Sequence, residues 1–161
     1  MLLKCRIEES TNKQCDKMEI ERIPEERFSE SEFYSGFVDF LHTYLGKYKD
    51  RKEDIEKALD YALDPKRGGD AYMASEGGEM LGALLTNSTG MSGYIPENII
   101  VYVAVKEGQR GKGIGKRLME NAINDAEGDI CLHVEHDNPA KRLYERLGFR
   151  SKYLEMRYSK E

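Results

Sequence analysis

Val101-Tyr102-Val103-Ala104-Val105-Lys106-Glu107-Gly108-Gln109-Arg110-Gly111-Lys112-Gly113-Ile114-Gly115-Lys116 reads as a buried strand, a glycine-rich turn and the opening of a helix. The β-branched run from Ile99 to Val105 is bounded by turn residues and suits a central strand covered on both faces. Gly111, Gly113 and Gly115, at alternate positions, remove the side chains that keep a ligand away from the backbone. The amides of residues 111–116 then converge on an anion, helped by the positive end of a helix predicted over 114–126. Arg110, Lys112 and Lys116 add charge around the mouth, with Ile114 between the last two glycines. The loop reads as a phosphate or diphosphate site, the alternative being a tight strand-to-helix turn that binds nothing. The spacing excludes two nucleotide loops: Lys116 is followed by Arg117 where a Walker loop needs Ser or Thr, and a dinucleotide fingerprint needs glycine at 116.

Upstream, Met80 to Leu85 and Ala71 to Ala74 flank Glu76-Gly77-Gly78-Glu79, a two-glycine hairpin signal. Phe33, Phe37, Leu41, Tyr44 and Tyr48 recur at helical spacing, so 30–46 reads as an amphipathic helix, and Ser29 to Glu32 matches a capping box. A second helix runs from Lys52 to Leu63, with Ile55, Leu59, Ala62 and Leu63 inward, and ends before Pro65 and Gly68-Gly69. Residues 2–8 and 17–23 alternate around a polar stretch and read as a hairpin or, for the first, a loose arm. Downstream, 114–126 is a helix burying Leu118, Met119, Ala122 and Ile123; 130–135 is a strand, 139–147 a helix closed by Gly148, and 153–158 a last strand. Helices alternate with strands while the middle is hairpin-connected, which predicts an α+β or mixed α/β fold around one sheet.

The chain of 161 residues reads as a single domain over 1–161, with 1–16 an additional strand or arm. Its apolar fraction of 39% beside 34% charged residues suits a soluble globular protein. No apolar run approaches the ~18–20 residues of a membrane span, and Lys4 and Arg6 interrupt any secretory apolar core. Cys5, Cys15 and Cys131 are scattered and odd in number, which favours reduced thiols in a cytoplasm. The net charge of -5 argues against a dedicated nucleic-acid binder.

The stretch Leu132-His133-Val134-Glu135-His136-Asp137-Asn138-Pro139-Ala140-Lys141-Arg142-Leu143-Tyr144-Glu145-Arg146-Leu147-Gly148-Phe149 completes the pattern. Arg110-x-x-Gly113-x-Gly115, followed by Asn138, Ala140, Tyr144 and Leu147-Gly148-Phe149, resembles the two motifs of the GNAT superfamily of N-acetyltransferases. The resemblance covers about 71–158. It implies an acyl-CoA N-acyltransferase-like fold, in which one central, mostly antiparallel sheet carries splayed parallel strands at its centre and helices on its faces. It also implies acetyl-CoA as cosubstrate, wedged between the strands at 99–105 and 130–135. The pantetheine arm would meet Val103, Ala104 and Val105, the diphosphate would lie on Gly111 to Lys116, and Asn138 would touch the arm near the sulfur. The reaction so implied is direct attack by a bound primary amine, without an acyl-enzyme.

Three tasks follow from that chemistry: deprotonating the amine, stabilising an oxyanion by a strand amide near Val105, and protonating the leaving thiolate. Tyr144, a phenol with an ordinary pKa of about 10, is the candidate acid; otherwise it is a structural tyrosine beside Leu143 and Leu147. Glu97 acting through water and His133 are candidate bases. Cys131, His133 and His136 lack a fourth ligand, so no metal is expected. Asp39, Glu53, Asp54 and Asp60, with Tyr34, Tyr44, Tyr48 and Tyr94, suit a cationic amine acceptor, whether small molecule or peptide; the charges read equally as a solvated helix face. A homodimer is compatible with the sequence. The rival reading is a non-catalytic acyl-CoA-binding regulatory module, and a third is a protein-interaction domain using the aromatic first helix.

Overall fold

The computed structural model describes residues 17–160, and five strands within them form one sheet in the order β1-β2-β3-β4-β5. Strands β1 (Glu19–Arg22), β2 (Gly69–Glu76), β3 (Glu79–Ser88) and β4 (Asn98–Val105) pair antiparallel; β5 (Ile130–Leu132) joins β4 in parallel. Helices α1 (Ser31–Tyr44) and α2 (Lys52–Leu63) cover one face, and α3 (Ile114–Asp125) with α4 (Lys141–Arg146) covers the other. The central strand β3 is buried continuously from Leu81 to Thr86, as a strand sandwiched between two helical layers must be.

Each layer has its own apolar cluster. Phe37, Val38, Phe40 and Leu41 of α1 meet Ile55, Leu59 and Ala62 of α2 over Ala71, Met73, Ala83, Leu85, Tyr102 and Ala104. On the opposite face Ile114, Leu118, Met119 and Ala122 of α3 pack with Tyr72, Leu84, Ile100 and Tyr144. Fully burying one such aliphatic side chain contributes about 1.5–3 kcal/mol, so the two clusters fix both helical layers to the sheet. The approach of α3 is close: a methyl group at Gly82 of β3 would come within 2.9 Å of Ile114 Cγ2 and Leu118 Cδ1.

The expected helices and the hairpin across Gly77-Gly78 are present, and several details differ. The 17–23 segment forms β1 on the edge of β2, while its expected partner at 2–8 lies outside the described residues. The capping box is absent: the Ser29 hydroxyl donates to the Glu26 carbonyl (2.7 Å), inside a tight turn over Glu25–Ser29, and Glu30 is the N-cap without a side-chain bond. The strand expected over 130–135 stops at Leu132. The last strand expected over 153–158 is not formed; Leu154, Met156 and Tyr158 are about nine-tenths exposed (90%, 92% and 90%). A three-residue β5 offers too short an edge for a six-residue ladder, and Glu155 pairs instead with Arg157 two positions on. No helix among the described residues is long and apolar enough to cross a membrane.

Gly82→Val inserts branched carbons where α3 already touches the strand. It should destabilise the fold by about 1–3 kcal/mol, read as a lower denaturant midpoint with an unchanged slope.

Candidate functional site

The ladder between β4 and β5 consists of Asn98↔Ile130, Ile99↔Cys131 and Ile100↔Leu132. Beyond Ile100 β4 continues to Val105 while β5 has ended, so that edge of β4 has no paired strand beside it and forms the floor of a trough. Near that fork Val101 is an extra residue: Leu85 pairs with Tyr102 and Thr86 with Ile100. The bulge breaks the alternation, so Val101 and Tyr102 both belong to the α1–α2 layer, whereas Ile100 and Val103 face α3. The Lys106 amide donates to the Leu81 carbonyl (2.9 Å), on the β3 side. Strand alternation then turns the backbone groups of Val103 and Val105 away from β3, toward the trough. Backbone donors and acceptors in so sheltered a place ordinarily have a partner. An extended ligand carrying amides fits that edge.

The trough leads to the glycine loop. Gly111 and Gly113 have φ of 79° and 81°, in the left-handed region, and a methyl group on either would meet no atom within 4 Å. Their need for glycine is therefore conformational, and the space above them is open. Gly113 is the N-cap of α3, which has no side-chain cap and no acidic residue in its first turn, so its leading amides present the positive end of the helix. Ile114 anchors this turn in the core, and Gly115 lies under Leu143 and Val105. The surrounding cations are partly engaged. Lys112 donates to Gln109 (2.8 Å), and Lys116 pairs with Glu120 (3.5 Å). Arg110 does more than add charge: Nη2 donates to the Tyr44 carbonyl (2.9 Å) at the end of α1, and Nε to the Val105 carbonyl (3.3 Å).

Tyr144 is 8% exposed and shares a cluster with Val103, Val105 and Leu132, at the α3 side of the trough. Its ring meets Phe149 edge-on at 6.2 Å, and the Phe149 amide donates to the Tyr144 carbonyl (3.0 Å) as the chain turns back through Gly148. Burial, with the Glu135 charge nearby, pushes the phenol up to about 12. The hydroxyl therefore keeps its proton at neutral pH. No fully buried side-chain oxygen or nitrogen among the described residues lacks a hydrogen-bond partner, so this hydroxyl, which has none, retains contact with solvent. Asn138 stands just ahead of α4; its Oδ1 accepts from the Ala140 amide (3.0 Å), which leaves its Nδ2 as a donor.

Glu97 lies at the other end of β4. Its Oε2 accepts from the Asp129 amide (2.7 Å), the carboxyl packs on Gly128, and these backbone bonds hold its pKa below the ordinary value. His133 directly follows the last paired residue of β5 and is exposed, with Nδ1 3.9 Å from Glu155. Burial raises the Cys131 thiol, which makes it a poor nucleophile. Among the described residues no three His, Cys, Asp or Glu side chains are grouped to hold a metal ion.

A set of contacts absent from the sequence reading crosses the open side. Tyr44 receives Arg110; Lys47 Nζ reaches Asp137 Oδ2 (2.6 Å) and the Tyr48 hydroxyl the Asp137 carbonyl (3.1 Å); Tyr102 donates to Asp50 (2.8 Å). The α1–α2 connection is thus tied at once to the loop after β4, the loop before α4, and β4 itself. Partners 52 to 90 residues apart in sequence leave no local signal.

Residues 67–151 match the family model described as Acetyltransferase (GNAT) domain. No curated protein matches the chain. Among solved structures, an aminoglycoside acetyltransferase from an uncultured soil metagenomic sample superposes with a TM-score of 0.63 at 18% identity, over 90% of this chain and 99% of that one. The ribosomal-protein-alanine N-acetyltransferase of Brucella melitensis gives 0.61 at 19% identity, over 89% and 99%. The aminoglycoside N-acetyltransferase AAC(6')-Iy, solved in complex with CoA, gives 0.65 at 14% identity, over 89% and 95%.

Glu97 titrates below its unfolded value, so its contribution to stability is present at neutral pH and is lost as pH falls through the folded value. Glu97→Gln should therefore remove part of the acid-side loss of thermal stability, measured by melting curves between neutral and acidic pH.

Proposed function

Since the chain belongs to the GNAT acetyltransferase family and is an acetyl-transferring enzyme, we propose that it moves the acetyl group of acetyl-CoA to a primary amine by direct attack in a ternary complex. The observation that carries this reading is the early end of β5. It leaves the edge of Val103 and Val105 facing a trough that runs to an uncapped helix and borders a buried tyrosine.

In this reading the amides of Gly111 to Lys116 bind the diphosphate, with Lys112 and Lys116 at the rim. Arg110 sets the loop against α1, and Ile114 keeps the helix end in place. Val103 and Val105 pair with the pantetheine amides; Ala104, turned to the opposite layer, leaves room for the bulged strand to pack on α1. The free Nδ2 of Asn138 donates to the arm. As the C–N bond forms and the C–S bond breaks, the amine loses one proton to a base and Tyr144 gives one to the departing sulfur, leaving an amide and a free thiol. The base role goes to His133, which stands at the fork of β4 and β5; Glu97 has one oxygen committed to Asp129 at the closed end of the pair. The strand amide near Val105 serves the developing oxyanion.

Tyr144→Phe keeps the ring in the core and removes only the proton donor. Turnover should fall at least about tenfold while calorimetry gives the same affinity for coenzyme A; equal turnover would exclude the acid role. In His133→Gln the acidic limb of the kcat/KM profile against pH should be lost. A profile that keeps this limb assigns deprotonation to solvent.

A further inference from the structure

The carboxylates along α1, α2 and their connection differ in how their charge is met. Asp39 faces Lys52, Asp54 faces Arg51 and Lys57, and Asp60 accepts from the Tyr34 hydroxyl. Asp50 is exposed, and its Oδ2 accepts 2.8 Å from the hydroxyl of Tyr102. Asp50 does not cap α2: the N-cap is Arg51, whose carbonyl takes the amides of Asp54 and Ile55. Tyr102 is 8% exposed and follows the bulged Val101, so its ring is fixed at the fork of the strands. Burial, then the bond to Asp50, drives the phenol upward, and the hydroxyl stays a donor. The carboxylate is thereby aimed by a neutral group rather than neutralised by a cation. Arg157 on the C-terminal tail feels its field but is paired with Glu155.

The position matters as much as the charge. Tyr144 and its cluster lie on one face of the sheet, and Asp50 is held by Tyr102 on the opposite face, in a segment also tied to the loop before α4, so Asp50 borders the open edge of β4 on the side away from Tyr144. Asp50 stands off the backbone of β4 by the length of a tyrosine plus one hydrogen bond. It is too distant for a nitrogen attacking a thioester laid along that strand, and suited to a group several bonds further along the same molecule.

We propose that Asp50, positioned by Tyr102, binds a second positive charge on the acceptor, so that this enzyme favours diamines and polyamines over monoamines. The inference rests on the acetyl-transfer reading above and names the substrate class of that site.

The test uses the full chain, acetyl-CoA, and butylamine, 1,4-diaminobutane and spermidine as acceptors, with thiol release as readout and calorimetry with coenzyme A beside it. Wild-type kcat/KM should rise with the number of charges on the amine. Asp50→Asn should lower it at least about tenfold for the diamine and spermidine, through KM, and leave butylamine unchanged. Tyr102→Phe should lose less in the same direction, and Asp50→Glu should restore part of the loss. Spermidine should raise the melting temperature of the wild type and not of Asp50→Asn, a readout independent of turnover. An equal loss for all three amines, a wild type indifferent to acceptor charge, or no turnover with any of them while coenzyme A binds, would each overturn the assignment. Failure of coenzyme A to bind would remove the acetyl-transfer reading itself, and this inference with it.

Discussion

Three residue pairs hold β5 to β4, and the position at which that ladder stops governs the rest of the molecule. A parallel pair carried on to Val105 would occupy the backbone groups on that edge of β4 and leave no room there for a ligand. By ending at Ile100 and Leu132, the ladder leaves polar main-chain groups inside an otherwise apolar wall of Val103, Val105, Leu132 and Tyr144. Exposing such groups is tolerable at a trough open to water and becomes favourable when a partner arrives with its own amides. The bulge at Val101 belongs to the same constraint. It turns Tyr102 toward α1 and α2 while Val103 still faces α3, so one strand supplies side chains to both helical layers at the point where its ladder with β5 has ended.

The two helical layers have different duties. On one side α3 is pressed onto β3 at Gly82 and anchored by Ile114, Leu118 and Met119, which holds the glycine turn and its amides in a fixed direction. The proposed diphosphate site would need that rigidity, since its donors act only if they converge. On the other side the α1–α2 connection is fastened by Arg110, Asp137 and Tyr102 rather than by a large apolar contact. The helices on that side are nonetheless held to the sheet by their own apolar cluster.

The strand, turn and helix of 99–126 were legible because their signals are local: β-branched residues, alternate glycines and a helical repeat of apolar positions. The two-motif resemblance carried the fold further than periodicity alone, and the family match over 67–151 agrees with it. Where the reading failed, longer-range facts decided. Ser29 has the residue type of a cap, but a preceding tight turn takes its hydroxyl. Residues 153–158 alternate like a strand, but pairing depends on an edge that β5 is too short to supply. The bond from the Asp129 amide to one oxygen of Glu97 likewise has no local signal, since the two lie thirty-two positions apart. Asp50 carried no mark at all, because what distinguishes it is a tyrosine fifty-two positions away.

The strap over the trough has one more implication. Its closure at Asp137 depends on an exposed lysine and one phenol contact, interactions that dissolved ions screen and that water readily replaces. The bonds at Asp137 belong to neither apolar cluster, whereas Leu45 packs on the α1–α2 cluster and Asp50 is held by Tyr102 within it. The fastening of this connection to the loop before α4 is therefore sensitive to ionic strength, while the apolar scaffold beneath it is not.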